Sequence, residues 1–480
     1  MMPLLLALSA AQAASLDVYP GDDIYTLTQS LSAGSEVVFH DGTYAIESGL
    51  YLTGQGTEGE PITLRAADGE RPVLEMVDGS YVIRVEDATH LTLEGLVVRG
   101  GDGAEETGLT GIQLLNVSNV TVADCEIVNV PSTGLYVAYD SRDVTLRGNR
   151  VHDILSSTAI YIGHSDASYL SSNVTIEGNW IHDIGDGYDY GVYLAAGTSG
   201  STVRDNVIYG VNGYGVYFNS TEYGDPNVIE ANAIWNISHP DGGGSGIGAE
   251  GTAQVRNNLV FNIEGYGIYS RNNGSDTLED LVISFNTVGN TDGWGVRLDD
   301  WAGRPGMVFA NNAVANPTGY ALYAGDKHIG PDNYLSSNVV TGLVDGFDDF
   351  EGAFEAGAGF DDFSDVEGWD FYPVTGSALI NNADPSSDAW VPQTDFNGAP
   401  REGDAPDVGA YEYSSGSNPG WAIREGFKEL GLDNADGEQV TGGGCCEKNE
   451  ESTEAGLLLL PGLLMGAAAR RRRRKRAQTR

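Results

Sequence analysis

The chain has 480 residues, long enough for several domains, and a formal charge of −44. Residues 15–446 hold 65 acidic against 16 basic side chains, which excludes proteins that grip nucleic acid or an anionic membrane surface by charge. A polyuronate would be repelled as well unless Ca2+ bridged the two; the plainer account of the charge is solubility in salt or a surface that takes up divalent ions.

Residues 1–14, MMPLLLALSAAQAA, join an apolar stretch to Ala-Gln-Ala. This suits a signal peptide cut after Ala13 or Ala14, although the usual basic start is missing. Export is the expectation. Of the three cysteines, Cys125 stands alone and Cys445 and Cys446 are neighbours. No disulfide framework can hold the body, so its core must. Residues 15–76 are read as an N-terminal cap with the first coils.

Residues 77–345 repeat one phrase. A polar slot is occupied in turn by Cys125, Asn149, Asn179, Asn206, Asn232, Asn258, Asn286, Asn312 and Asn338, at intervals of 24, 30, 27, 26, 26, 28, 26 and 26. Leu96 fits the slot one interval earlier. An alternating run precedes the slot, and an apolar residue follows two positions after it. A Gly-containing turn then leads into Gly-Val-x-Leu or a variant. Period-2 alternation, β-branched residues and Asn/Gly punctuation specify short strands. A fixed period of this length specifies stacked units. The fold class is therefore all-β: a right-handed single-stranded parallel β-helix. Roughly ten coils at about 4.8 Å make a rod near 50 Å.

Stacking puts equivalent residues above one another. The Asn column is then a hydrogen-bonded ladder, its residues suited to the left-handed region at a sharp bend, and its role is structural. Cys125 extends it as a buried thiol. Four residues after each slot, Asp153, Asp183, Gly210, Asn236, Asn262, Asn290 and Asn316 read as turn residues. Beside them run His152, His182, Tyr209, Trp235 and Phe261. The two histidines invite a metal reading, but their aromatic neighbours favour ring stacking.

In the strand after each turn, Val192, Val216, Ile247, Ile268, Val296 and Leu322 align as inward. The next residues, Tyr193, Tyr217, Gly248, Tyr269, Arg297 and Tyr323, then point outward, with Tyr136 and Tyr161 upstream. This aromatic stripe is broken at Gly248. Two residues further along lie Asn219, Glu250, Arg271 and Asp299, followed by Asp300 and Trp301. Stacking puts Glu250 and Asp299 roughly 9.6 Å apart. Two readings are open. In one, Tyr193, Tyr217, Tyr269, Tyr323 and Trp301 bind a glycan, while Glu250, Arg271, Arg297, Asp299 and Asp300 are candidate catalytic residues at the wide spacing of an inverting hydrolase. In the other, the charges form a salt-bridge ladder on an ordinary sheet. A deep groove at Gly248 would favour the first and a flat, packed sheet the second.

Residues 345–376 are acidic, aromatic and Gly-rich, and are read as covering the open rod end. A Ca2+ site among Asp348, Asp349, Asp361, Asp362 and Asp365 lacks EF-hand spacing, so solvated acidic loops are the simpler reading. Residues 346–413 form a C-terminal cap. Residues 414–454 read as a flexible stalk with a helix-like GWAIREGFKELGL. Residues 455–480 join a 15-residue apolar run, about 22 Å as a helix and short of a span, to an Arg-rich end.

These segments resemble known families. The repeats are similar to those of the pectin-lyase-like superfamily. Residues 37–76, with GTY and PITLRA…G…PVL, resemble the opening segment of alginate-lyase and chondroitinase-B-like lyases. Residues 377–413 resemble the choice-of-anchor Q segment. The adjacent cysteines, apolar run and Arg cluster resemble the MYXO-CTERM sorting signal. That last resemblance implies a sorting protease and lipid acting near Cys445 and Cys446, a membrane contact made only through this tail, and a cell-surface location. The lyases of the superfamily use a Lys–Arg pair with Ca2+. Here the coils hold one lysine, Lys327, with no arginine in matching phase, so the lyase residues do not carry over. The residue set of polygalacturonases is also absent as a set, and the paired Asp of RLDDW is its only part. SHPDG, residues 238–242, matches the Asp-Pro-His-Asp of alginate epimerases only in part and reads as a turn. The expected partner is an extracellular or cell-wall polysaccharide, with activity as a lyase or hydrolase left open; the alternative is a non-catalytic adhesin or structural rod. No cofactor is specified beyond a role for Ca2+, and the fold hosts too many activities to decide.

Overall fold

A computed structural model describes residues 15–429, except 102–107, 220–223, 273–277, 326–327, 351, 358, 387–389, 402–404 and 415. The expected leader, Lys327, Cys445, Cys446 and the sorting tail lie outside the described residues. The chain winds into a right-handed parallel β-helix of about 11 turns. One sheet stacks the strands that precede the polar slot, and the other joins the two strands that follow it. In three coils those two fuse into one long bent strand: Trp180–Leu194, Val207–Phe218 and Ala313–Tyr323.

The register is the one the repeat dictates. Val192, Val216, Ile247, Ile268, Val296 and Leu322 pair in sequence, and all are wholly buried. Each inward aliphatic side chain contributes about 1.5–3 kcal/mol over its exposed state, so a continuous column replaces the disulfides the body lacks.

The asparagine ladder runs unbroken from Asn149 to Asn338. Asn206 is typical: its backbone N and Nδ2 donate to Asn232 Oδ1 at 3.1 and 2.9 Å, and Nδ2 also donates to Ile176 O at 2.9 Å. Cys125 heads the column, its backbone N donating to Asn149 Oδ1 at 3.0 Å. One detail differs from expectation. The left-handed residue is the one before each slot: Asp124, Gly148, Gly178, Asp205, Ala231, Asn257, Phe285, Asn311 and Ser337 have φ of 50 to 63°. The ladder asparagine comes just after the bend, where its amide points inward along the stack. In the turn column Asp153, Asp183, Gly210, Asn236, Asn262 and Asn290 are left-handed, with φ of 52 to 64°, while Asn316 is not.

The aromatic column beside it stacks. Successive centroids from His152 to Phe261 lie 4.8, 5.3, 4.8 and 5.7 Å apart. Arg150 Nε donates to His182 Nε2 at 3.3 Å, which leaves the His182 Nδ1 proton for Asp183 Oδ2 at 2.8 Å. Burial holds both imidazoles below their ordinary value of 6.5. The unfolded chain therefore binds protons that the fold refuses. The contribution of these two histidines to stability is flat above about pH 6.5 and falls as the pH drops below it. Urea midpoints between pH 5 and 7.5 should show this slope, and the pair His152→Phe with His182→Tyr should flatten it.

The C-terminal region does more than cover the rod end. Strand Phe354–Ala356 adds a last rung on Asn338–Asp345, and Phe347 closes the core. From Gly359 the chain turns back along the outside of the coils and buries the aromatic column in a second core with Phe371, Tyr372, Phe396, Tyr411 and Trp421. The column loses its ring at Gly289, and Phe371 supplies one: a Cβ there would lie 3.0 Å from Phe371 Cε1. Any side chain there would have to push the Phe371 ring back slightly. The stalk expected from residue 414 does not begin there, because Trp421 and Lys428 are buried against the coils, and residues 421–429 are not helical. Asp362 is buried, accepting from Ser377 Oγ and Ala378 N. Among the described residues no cluster of His, Cys, Asp or Glu has metal-holding geometry.

Candidate functional site

The outward column is present in register: Tyr136, Tyr161, Tyr193, Tyr217, Gly248, Tyr269, Arg297 and Tyr323. A second ring column runs beside it, through Tyr190, Tyr214, Ser245, Tyr266, Trp294 and Tyr320. Sequence reasoning missed it, although the signal was local. The phrase is Tyr-Gly-Val-Tyr rather than Gly-Val-x-Leu, and the residue before the glycine carries the second ring. Both columns lose their rings in one coil, Ser245–Ala249.

Rings pack within two groups on either side of that coil. Above it, Tyr190 contacts Tyr193, Tyr214 and Tyr217 at 4.9 to 5.6 Å. Below it, Tyr266 stacks on Tyr269 and Trp294 at 4.7 and 5.1 Å, and Trp294 contacts Tyr320 and Tyr323. The gap is not a deep groove. Tyr214 and Tyr217 lean over Gly248, whose missing Cβ would sit 2.7 to 2.9 Å from their rings.

The charged residues resolve into two pairs. Arg271 Nε donates to Glu250 Oε1 at 2.6 Å, and Tyr217 Oη donates to Glu250 Oε2 at 2.5 Å. Arg297 Nε donates to Asp299 Oδ2 at 2.8 Å, while Tyr269 Oη reaches the same oxygen at 3.4 Å. The Glu–Arg–Asp column is therefore a set of ion pairs. The side chains of Glu250 and Asp299 are only 2% and 7% exposed. Both Glu250 oxygens are therefore held, by Arg271 and Tyr217, whereas Asp299 Oδ1 is buried without a hydrogen-bond partner among the described residues, with His328 Nδ1 3.6 Å away. Asp300 is left-handed at φ 63°, its backbone N donating to His328 Nδ1 at 2.9 Å and its Oδ2 accepting from Asn272 N at 3.4 Å. Trp301 does not face solvent: it is wholly buried, and Nε1 donates to Ser270 Oγ at 2.8 Å. The strand ends at Leu298, so the chain bends and carries the indole inward.

Tyr217 is only 7% exposed, whereas Tyr193, Tyr269 and Tyr323 are partly open. Burial pushes the phenols of Tyr190, Tyr193 and Tyr214 up to about 12. Burial and the Glu250 hydrogen bond raise Tyr217 as well. The wall therefore keeps its hydroxyl protons across physiological pH. The Arg297 guanidinium sits 5.2 to 5.6 Å from the ring centroids of Tyr266, Tyr269, Trp294 and Tyr323, a cation among four π faces. Ser245 Oγ and Trp294 Nε1 are buried without a hydrogen-bond partner among the described residues.

The family described as "Right handed beta helix region" matches residues 75–232 and 110–280. The protein is a right-handed β-helix. Among solved structures it is similar to an alginate lyase from Paenibacillus sp. str. FPU-7, at 17% identity over 58% of this chain and 95% of that chain, TM-score 0.45. It is also similar to pectate lyase Pel9A, at 16% identity over 83% and 96%, TM-score 0.47. A third is a mannuronic acid specific polysaccharide family 6 lyase from human gut microbiota, at 18% identity over 68% and 86%, TM-score 0.47. No curated protein matches the chain.

Proposed function

We propose that the face from Tyr190 to Tyr323 binds a polysaccharide and that the protein is exported and held at the cell surface by its C-terminal tail. The observation that carries the binding reading is the double column of mostly partly open rings, with Arg297 set among the four rings of Tyr266, Tyr269, Trp294 and Tyr323. Tyrosine and tryptophan faces stack on the apolar faces of sugar rings, and their polar edges serve the hydroxyls. Buried polar atoms such as Trp294 Nε1 are the kind that a ligand or water completes. Glu250, held on both oxygens by Arg271 and Tyr217, supports binding without turnover on this face. A second reading, a rod that binds protein, is favoured by the packing of Tyr214 and Tyr217 over Gly248.

A glycan array probed with purified protein, with and without Ca2+, separates them. A hit should weaken about 30-fold in Trp294→Ala, corresponding to about 2 kcal/mol for an anchoring aromatic residue. Released oligosaccharide would show turnover. Silence across neutral and acidic glycans by folded protein would discard the glycan reading and favour a protein partner.

A further inference from the structure

A cleft of about 590 Å3 opens on the same sheet, nearer its N-terminal end, between Arg84 and Tyr169. Its size suits a small ligand. Its floor continues the outward column, because Arg84, Gln113 and Tyr136 stack in register, with Tyr161 and Tyr193 next in the same column. Two observations set it apart from the neighbouring coils. The interval from Asn149 to Asn179 is 30, the longest of the series, and its coil carries residues 163–170 as a loop beside the cleft. Extra residues in a repeat map to loops on one face, often the binding face. The loop is firmly built: Tyr169 packs on Tyr139 and His164 at 4.8 and 5.1 Å, and Leu170 N donates to Asp140 Oδ1 at 2.9 Å. Second, Tyr139 and Asp140 are consecutive left-handed residues, φ 57 and 62°. Elsewhere among the described residues of the coils the left-handed bends are single residues, so the corner beside the cleft is built differently.

The geometry points to a separate subsite for one uncharged sugar ring, stacked on Tyr169 with its hydroxyls on Gln113 and Asp140. This rests on the glycan reading of the sheet. The chemistry of the lining selects the class. Arg84 is committed, its Nε donating to Gln113 Oε1 at 2.8 Å and its guanidinium lying 4.0 Å from the Tyr81 ring centroid. Against that single cation stand Glu86, Asp87 and Asp140. The lining is rich in acceptors and net negative, so it takes hydroxyl donors and repels a uronate or sulfate. Tyr136 and Gly248 are four coils apart, about 19 Å. A long glycan along the sheet reaches both sites, whereas a monosaccharide fills one.

Amide hydrogen exchange on the whole protein tests this. The probes are glucose, mannose and galactose hexasaccharides, their monosaccharides and a galacturonate hexasaccharide. A neutral hexasaccharide should protect residues 163–172. Tyr169→Ala, on an exposed loop residue, should abolish that protection and weaken binding about tenfold. Trp294→Ala should weaken binding yet leave the loop protected. Protection confined to the Tyr190–Tyr323 face, with Tyr169→Ala binding normally, overturns the subsite and leaves the glycan reading standing. Loop protection by the uronate but not the neutral probes overturns the ligand class. No binding by any probe overturns both.

Discussion

Asn232→Ala lowers the unfolding free energy by about 2–6 kcal/mol, because it strands two buried donors at about 1–3 kcal/mol each. The donors are Asn206 N and Nδ2, which both bond to Asn232 Oδ1. Val203 O and Asn258 Oδ1 lose a donor as well. No water reaches the column to replace them, since Asn206, Asn232 and Asn258 are wholly buried. Asn232→Asp is more diagnostic. It keeps an acceptor for Asn206 but sets a carboxylate against Asn258 Oδ1 and Val203 O. Burial and facing acceptors raise the pKa of such an acid above its unfolded value near 3.9. A raised folded pKa means that the native state binds more protons, so the variant loses stability as pH rises through that window. Urea midpoints at pH 5 and pH 7, each compared with the parent protein, should show a larger deficit at pH 7. Equal deficits at both would mean that the ladder is not read as donor and acceptor. Because coils couple mainly to their neighbours, the damage should centre on the coils of Asn206 and Asn258.

The ladder and the register were legible in the sequence for one physical reason. In a stacked coil, a one-residue slip would turn Val216 or Ile268 to the solvent, so the apolar pattern fixes which residues share a column. Tyr217, Gly248 and Tyr269 could be placed on one face by counting alone. What lay beyond the column could not. Counting gives spacing along the stack but not side-chain direction, so Arg271 and Arg297 could not be assigned to Glu250 and Asp299 in advance. Trp301 was misplaced because period-2 alternation was carried past the strand end at Leu298. The lean of Tyr214 and Tyr217 over Gly248 is a matter of rotamer, which no periodicity encodes. The returning C-terminal segment was hidden for a different reason. Its contacts join residues very far apart, as with Arg401 to Asn257 across 144 positions and Lys428 to Asp205 across 223. It has no repeat of its own to announce them.

That segment supplies the second large effect. Lys428 is wholly buried, and its Nζ donates to Asp205 Oδ1, Phe396 O and Ala231 O at 2.7, 2.7 and 2.9 Å while lying 3.7 Å from the Phe396 ring centroid. Lys428→Met keeps the length of the stem but leaves two carbonyls and a carboxylate without their donor. Breaking a buried pair from one side costs about 3–5 kcal/mol; Asp205 keeps some access to water, which places the expected loss at the lower end. The coils do not depend on this contact for their ladder, so the loss should appear as undocking of the segment's end rather than as unfolding. Trp421 should become exposed, with a red-shifted emission, and residues 416–429 should become the first site of limited proteolysis. The far-ultraviolet signal of the sheets should hold. Arg424→Ala is the control, since the exposed Arg424–Glu429 pair contributes little. If Lys428→Met leaves both Trp421 emission and proteolysis unchanged, the segment is held by its aromatic contacts alone, among them Phe427 on Trp180 at 5.7 Å.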